Sequence, residues 1–221
     1  MKATEAKLLE FLKKSPQFVI PIYQRTYSWT EKECRQLWSD ILRAGANDDI
    51  SAHFIGSVVY VEKGIYSISS QSPLLVIDGQ QRLTTVSLII AALANAIGEG
   101  EPIEGFSARK LRNYYLLNPE EEGERHYKLI LSQTDKPSLM AILQDAPQPK
   151  EHSIRVIENY KLFQELLANQ KAGLETVCKG IAKLMVVDIS LDRKQDNPQL
   201  IFESMNSTGR ELSQADLIRN Y

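Results

Sequence analysis

The spacing of apolar residues along the chain predicts a mixture of amphipathic helices, one buried helix and several short strands. Leu8, Leu9, Phe11 and Leu12 share one side of a helix over residues 4–14, closed by Ser15-Pro16. Thr30-Glu31-Lys32-Glu33 reads as a capping box. Cys34, Leu37, Trp38, Ile41 and Leu42 follow at helical spacing, so a helix is predicted over residues 31–44, stopped at Gly45. Residues 54–61 and 74–77 are β-rich runs with a weaker one at 65–68, which predicts a small antiparallel or mixed sheet. Residues 81–97 are apolar almost all round, the pattern of a buried central helix.

After Gly98 the pattern changes. Residues 98–105, rich in Gly, Glu and Pro, read as a linker or long loop. Helices are predicted at 107–117, 136–143 with Pro137 in the first turn, 153–170 and 174–183, and a strand at 127–132. Residues 184–189 form a buried strand. A helix opening at Asn197-Pro198 stops at residues 206–209, and Ser213 to Asp216 is a second capping box. That last helix is still in progress at Tyr221, so the chain is expected to be part of a longer one. The division expected is an α/β core over 1–97, a helical subdomain over 98–183, and a return strand with helices over 184–221.

Composition narrows the function classes. The 221 residues are 43% hydrophobic and 24% charged, as in an ordinary globular protein. A formal net charge of −2 and a pI near 6.0 argue against coating nucleic acid by bulk electrostatics and leave only local contacts. Cys34 and Cys178 sit at apolar helix positions and read as reduced core residues. Residues 1–14 lack the pattern of a signal peptide, and the run 86–97 is too short for a membrane span, so the cytoplasm is the expected location. The histidines, His53, His126 and His152, form no metal-ligand pair in sequence.

Three polar segments carry candidate chemistry. The strand at Leu74 breaks into Asp78-Gly79-Gln80-Gln81-Arg82 and runs into the buried helix with Thr84 and Thr85. An isolated Asp-Gly is more often only a tight turn. Here a carboxylate, two amides, a guanidinium and two hydroxyls crowd a helix start, where a phosphate would satisfy several at once. The second segment, residues 21–29, combines Tyr23, Gln24, Arg25, Tyr27 and Trp29. It reads as core plugs with a solvated arginine, or as a stacking and phosphate-contacting loop. The third runs from Phe202 to Asn220 with Asn206, Gly209 and Arg219, most of which a helix stop and a new cap explain.

Taken together, Ile20 to Trp29, Asp78 to Thr85 and Phe202 to Asn220 resemble the N-terminal domain of GmrSD-type, modification-dependent restriction enzymes, a domain similar in fold to ParB and sulfiredoxin-like proteins. The resemblance implies an α+β fold: a small mixed sheet with a large helical insertion. It further implies binding and hydrolysis of a nucleoside triphosphate (GTP, ATP or CTP) with Mg²⁺, coupled to a downstream His-Asn-His type nuclease domain in phage defence. No Walker A loop is present, so phosphate would rest on the glycine turn, the helix start and arginines.

In that reading Gly79 admits the phosphates, Arg82 and Arg25 neutralise them, Gln80 or Gln81 orients water, and Asp78 helps hold Mg²⁺. Tyr23, Gln24, Thr84, Thr85, Asn206, Gly209 and Arg219 complete the nucleotide site. The alternative is a non-catalytic sensor in which the same pocket reads modified DNA or a nucleotide. A homodimer is compatible with either, and no nuclease activity is expected of residues 1–221.

Overall fold

A computed structural model describes residues 2–62, 72–171 and 173–191, with a mixed six-stranded sheet and helices packed against it. In chain order the elements begin with β1 (Lys2–Lys7), α1 (Leu8–Lys14), β2 (Phe18–Val19), α2 (Glu31–Ala46), β3 (His53–Glu62), β4 (Leu74–Asp78) and α3 (Gln80–Ile97). They continue with α4 (Ala108–Leu111), β5 (Leu129–Ile130), α5 (Asp135–Leu143), α6 (Ile154–Ala168), α7 (Gly173–Ala182) and β6 (Leu184–Leu191). The sheet order is β1-β6-β3-β4-β2-β5. β6 runs parallel to β3 and antiparallel to β1, β3 is antiparallel to β4, and β2 is parallel to both β4 and β5. The fold is α+β, as expected.

The elements with strong local signals form where the pattern places them. Glu33 closes the capping box of α2: its carboxylate accepts the Thr30 N–H at 2.8 Å and the Thr30 hydroxyl at 2.6 Å. Those two bonds, the hydroxyl's first, hold the Glu33 carboxyl below its usual range. Fourteen of the eighteen α3 residues are buried, with Leu88, Ile90 and Leu93 wholly so. Each such aliphatic side chain contributes about 1.5–3 kcal/mol by leaving water. Cys34 and Cys178 are free and fully buried, and burial pushes their thiols up to about 11 and about 12. Among the described residues no helix is long and apolar enough to cross a membrane.

Four expectations change. Residues 2–7 are a strand, not the start of a helix, because the edge of β6 offers them a ladder from Lys2↔Ser190 to Lys7↔Met185. Their exposed, lysine-bearing pattern suits an edge strand, which charge protects from further pairing. α2 does not stop at Gly45 but runs through it to Ala46, because Gly45 meets α7 rather than a turn. The helix predicted at 107–117 is one α-turn, α4, followed by a π-helical turn at Arg112–Leu116. Of the strand predicted at 127–132, only Leu129–Ile130 joins the sheet, parallel to β2, while Tyr127 makes an isolated antiparallel bridge to Leu117. The run at 65–68, the helix at 197 and the second capping box lie outside the described residues.

Candidate functional site

β4 delivers the chain to Asp78, and Gly79 turns it into α3 with φ 96° and ψ 2°, a left-handed conformation that side chains resist. A Cβ on Gly79 would lie 2.9 Å from the Ser57 carbonyl oxygen and 3.1 Å from Val58 Cα, so the turn is pressed against β3 as well. Both constraints require glycine. Among the described residues α3 has no side-chain cap and its first turn holds no acid, the arrangement in which a helix start favours an anion.

Arg82 stands over this turn. It donates through Nη1 to the Ser57 carbonyl at 2.7 Å and lies 3.7 Å from the Asp78 carboxylate, with both side chains partly exposed. The guanidinium lies across Gly56, where a Cβ would come within 2.7 Å of Nε and 2.8 Å of Cζ. Gly56, at φ 113°, sits where the β3–β6 register shifts between Phe54 and Ser57. This bulge makes the seat for Arg82. Sequence reasoning missed Gly56, although a lone glycine inside the run F-I-G-S-V-V is a signal of a bulge or close approach.

The two glutamines turn the other way, toward the loop at residues 21–29. Gln80, 5% exposed, donates to the Arg25 carbonyl at 2.7 Å. The Gln81 side-chain oxygen accepts the N–H groups of Ser28 at 2.8 Å and Trp29 at 3.2 Å. Gln24, also buried, donates to the Val76 and Ile77 carbonyls at 2.6 and 3.0 Å and fastens the loop to β4. A loop without a ladder of its own must find partners for its backbone groups, and these amides supply them.

The hydroxyls are likewise committed. Thr84 and Thr85 are fully buried and donate to the carbonyls of Gln80 and Gln81 at 2.9 and 2.8 Å. Tyr27 extends the chain, 2.7 Å from the Thr85 hydroxyl and accepting from Asn159 Nδ2 at 3.0 Å. Burial, then the neighbouring Cys34, pushes the Tyr27 phenol far above its ordinary range, so it stays neutral.

The structure therefore brings the partly exposed Asp78 and Arg82 together at the turn made by buried Gly79, with Gln80 anchoring the backbone of exposed Arg25. Tyr23 is partly buried in the same loop, while the side chains of Gln24, Thr84 and Thr85 serve the framework. Asn206, Gly209 and Arg219 lie outside the described residues. For Mg²⁺ the turn supplies one carboxylate, Asp78, already 3.7 Å from a guanidinium, and no group of three His, Cys, Asp or Glu side chains gathers among the described residues. A metal here would be held mainly by phosphate oxygens and water, with Asp78 as its protein contact.

Next to the turn lies a cleft of about 370 Å³ between α2 and the first residues of β3. Trp29, Gln36, Asp40, His53, Phe54 and Arg82 are among the residues lining it. At its polar side Gln36 donates to Asp40 at 3.3 Å, and His53 Nε2 lies 3.6 Å from the same carboxylate.

No curated protein matches the chain. The family model described as the GmrSD restriction endonuclease N-terminal domain matches residues 7–221, which span both the Asp78–Arg82 turn and the loop it grips, and the chain belongs to that family.

Proposed function

We propose that this domain binds a nucleoside triphosphate with its phosphates at the Asp78–Arg82 turn, hydrolyses it, and through that cycle controls a DNA-cleaving His-Asn-His type domain of the restriction system. The observation that carries the reading is the fixed Arg82 guanidinium, seated on Gly56 and bonded to Ser57, at the uncapped start of α3. A pre-positioned cation beside open N–H groups stabilises phosphate charge without reorganising when the ligand arrives. Exposed Arg25 adds a second cation, and the left-handed turn at Gly79 sets Asp78 and the start of α3 beside Arg82.

The glutamines take a different part from the one the motif suggests. With its oxygen accepting two backbone N–H groups, Gln81 positions the aromatic loop, and Gln80 holds Arg25 by its carbonyl. Water activation is therefore not assigned to them. Mg²⁺, held through phosphate oxygens with Asp78 as its protein contact, would supply charge neutralisation on the leaving phosphate.

The same engaged glutamines favour, as a second reading, a sensor that binds nucleotide or modified DNA without turnover. Phosphate release by the domain with ATP, GTP and CTP in Mg²⁺ separates the two. Turnover that falls at least tenfold in Arg82→Ala supports hydrolysis; turnover that survives the substitution overturns the assignment. Saturable binding with no phosphate release is the sensor's signature.

A further inference from the structure

We infer that the cleft between α2 and β3 is a nucleobase site, taking the base of the 5′-phosphorylated nucleoside whose phosphate sits at the Asp78–Arg82 turn. This rests on the phosphate reading above and adds to it a second subsite with its own residues. The volume of about 370 Å³ falls in the range of small-molecule sites. Two aromatic side chains line it, Trp29 and Phe54, and Phe54 is 56% exposed. The exposed ring lies beside a concave surface that a second aromatic side chain also lines, and every base has a face that stacks on such rings.

The connection to the phosphate site is Arg82, which lines the cleft and also lies 3.7 Å from Asp78. One ligand can therefore reach both, with Arg82 between its base and its phosphates. Trp29 is pre-positioned, since Gln81 accepts its N–H and Asn159 donates to its carbonyl at 2.9 Å. Gln36, Asp40 and His53 offer donors and acceptors along one wall, the arrangement that reads the edge of a stacked ring. The bulge at Gly56 serves both subsites, because it seats Arg82 and lies immediately after Phe54 and Ile55.

Calorimetric titration of the domain with ATP, GTP and CTP, with tripolyphosphate, and with a 5′-phosphorylated single-stranded oligonucleotide tests this in wild type, Phe54→Ala and Arg82→Ala. At least one nucleotide is expected to bind roughly 5- to 150-fold tighter than tripolyphosphate, the range of one base stack. Phe54→Ala should erase that advantage and leave tripolyphosphate binding unchanged; Phe54 is exposed, so its melting temperature should stay near wild type. Equal affinity for nucleotides and tripolyphosphate, or an advantage that persists in Phe54→Ala, overturns the base site while leaving the phosphate site standing. Loss of tripolyphosphate binding in Arg82→Ala marks the phosphate site independently. Phe54-dependent binding of the oligonucleotide alone supports the cleft with a base supplied by DNA, and no binding of any probe overturns both readings.

Discussion

At the scale of single residues, two glycines separate the fold's needs from the site's. Gly79 faces backbone: a Cβ would press on the Ser57 oxygen at 2.9 Å and on Val58 Cα, neither of which can rotate away. Gly79→Ala is therefore expected to lose about 1–2 kcal/mol from the left-handed conformation and more from the contact, read as a drop in melting temperature. Gly56 faces the movable end of Arg82 instead. Gly56→Ala meets the same positive-φ strain but presses on a side chain instead of backbone and unseats the guanidinium, so triphosphate affinity falls while the melting temperature moves less than in Gly79→Ala. A Gly56→Ala domain that binds triphosphate like wild type would show that the seat at Gly56 does not position Arg82 for phosphate. Residue identity alone revealed Gly79 and Arg82, because the Asp-Gly turn and helix start are local signals. It did not reveal that Gln81 spends its oxygen on Ser28 and Trp29, since those partners lie 53 and 52 positions away.

At the scale of elements, α2 and α7 approach each other most closely at two glycines. A Cβ on Gly45 would fall 1.9 Å from the Thr176 carbonyl, and one on Gly180 would fall 2.0 Å from the Ile41 carbonyl. The helices are in backbone contact there. Gly180→Ala must push them apart and is expected to destabilise by about 2–3 kcal/mol, despite the better helix propensity of alanine. A melting temperature unchanged or raised would refute the close approach. The end of α2 is not legible locally for the same reason: glycine signals a helix stop, and only the arrival of α7 turns it into a packing residue. α2 and α3 were otherwise legible because the capping box and the apolar period are local. The strand at Lys2–Lys7 was not, because its reason to be a strand is β6, almost the whole chain away.

At the scale of the whole molecule, the loop at residues 21–29 joins the centre of the sheet to three of the helices. Gln24 ties it to β4, Gln80 and Gln81 to α3, and Asn159 on α6 to the Tyr27 hydroxyl and the Trp29 carbonyl. From α5, Asp135 accepts the Tyr27 N–H at 2.6 Å while 1% exposed, and its other oxygen has no hydrogen-bond partner among the described residues. Burial raises the Asp135 carboxyl above its ordinary 3.8, against the lowering effects of the nearby Ser153 side chain and then the Tyr27 N–H. A carboxyl raised in the folded state favours folding in its protonated form. Its stabilising contribution is thus complete below pH 3.8 and lost as pH rises through the folded value. Asp135→Asn keeps an acceptor for Tyr27 and cannot ionise, so it lacks this dependence. Melting temperatures of both proteins across pH 4–8 should show the asparagine variant gaining on wild type as pH rises, with the gain levelling off once Asp135 is ionised in the folded state. A difference that stays flat, or that favours wild type more strongly at high pH, would mean the buried carboxylate is compensated where the loop meets α5. The loop would then be held by charge at its centre rather than by neutral hydrogen bonds.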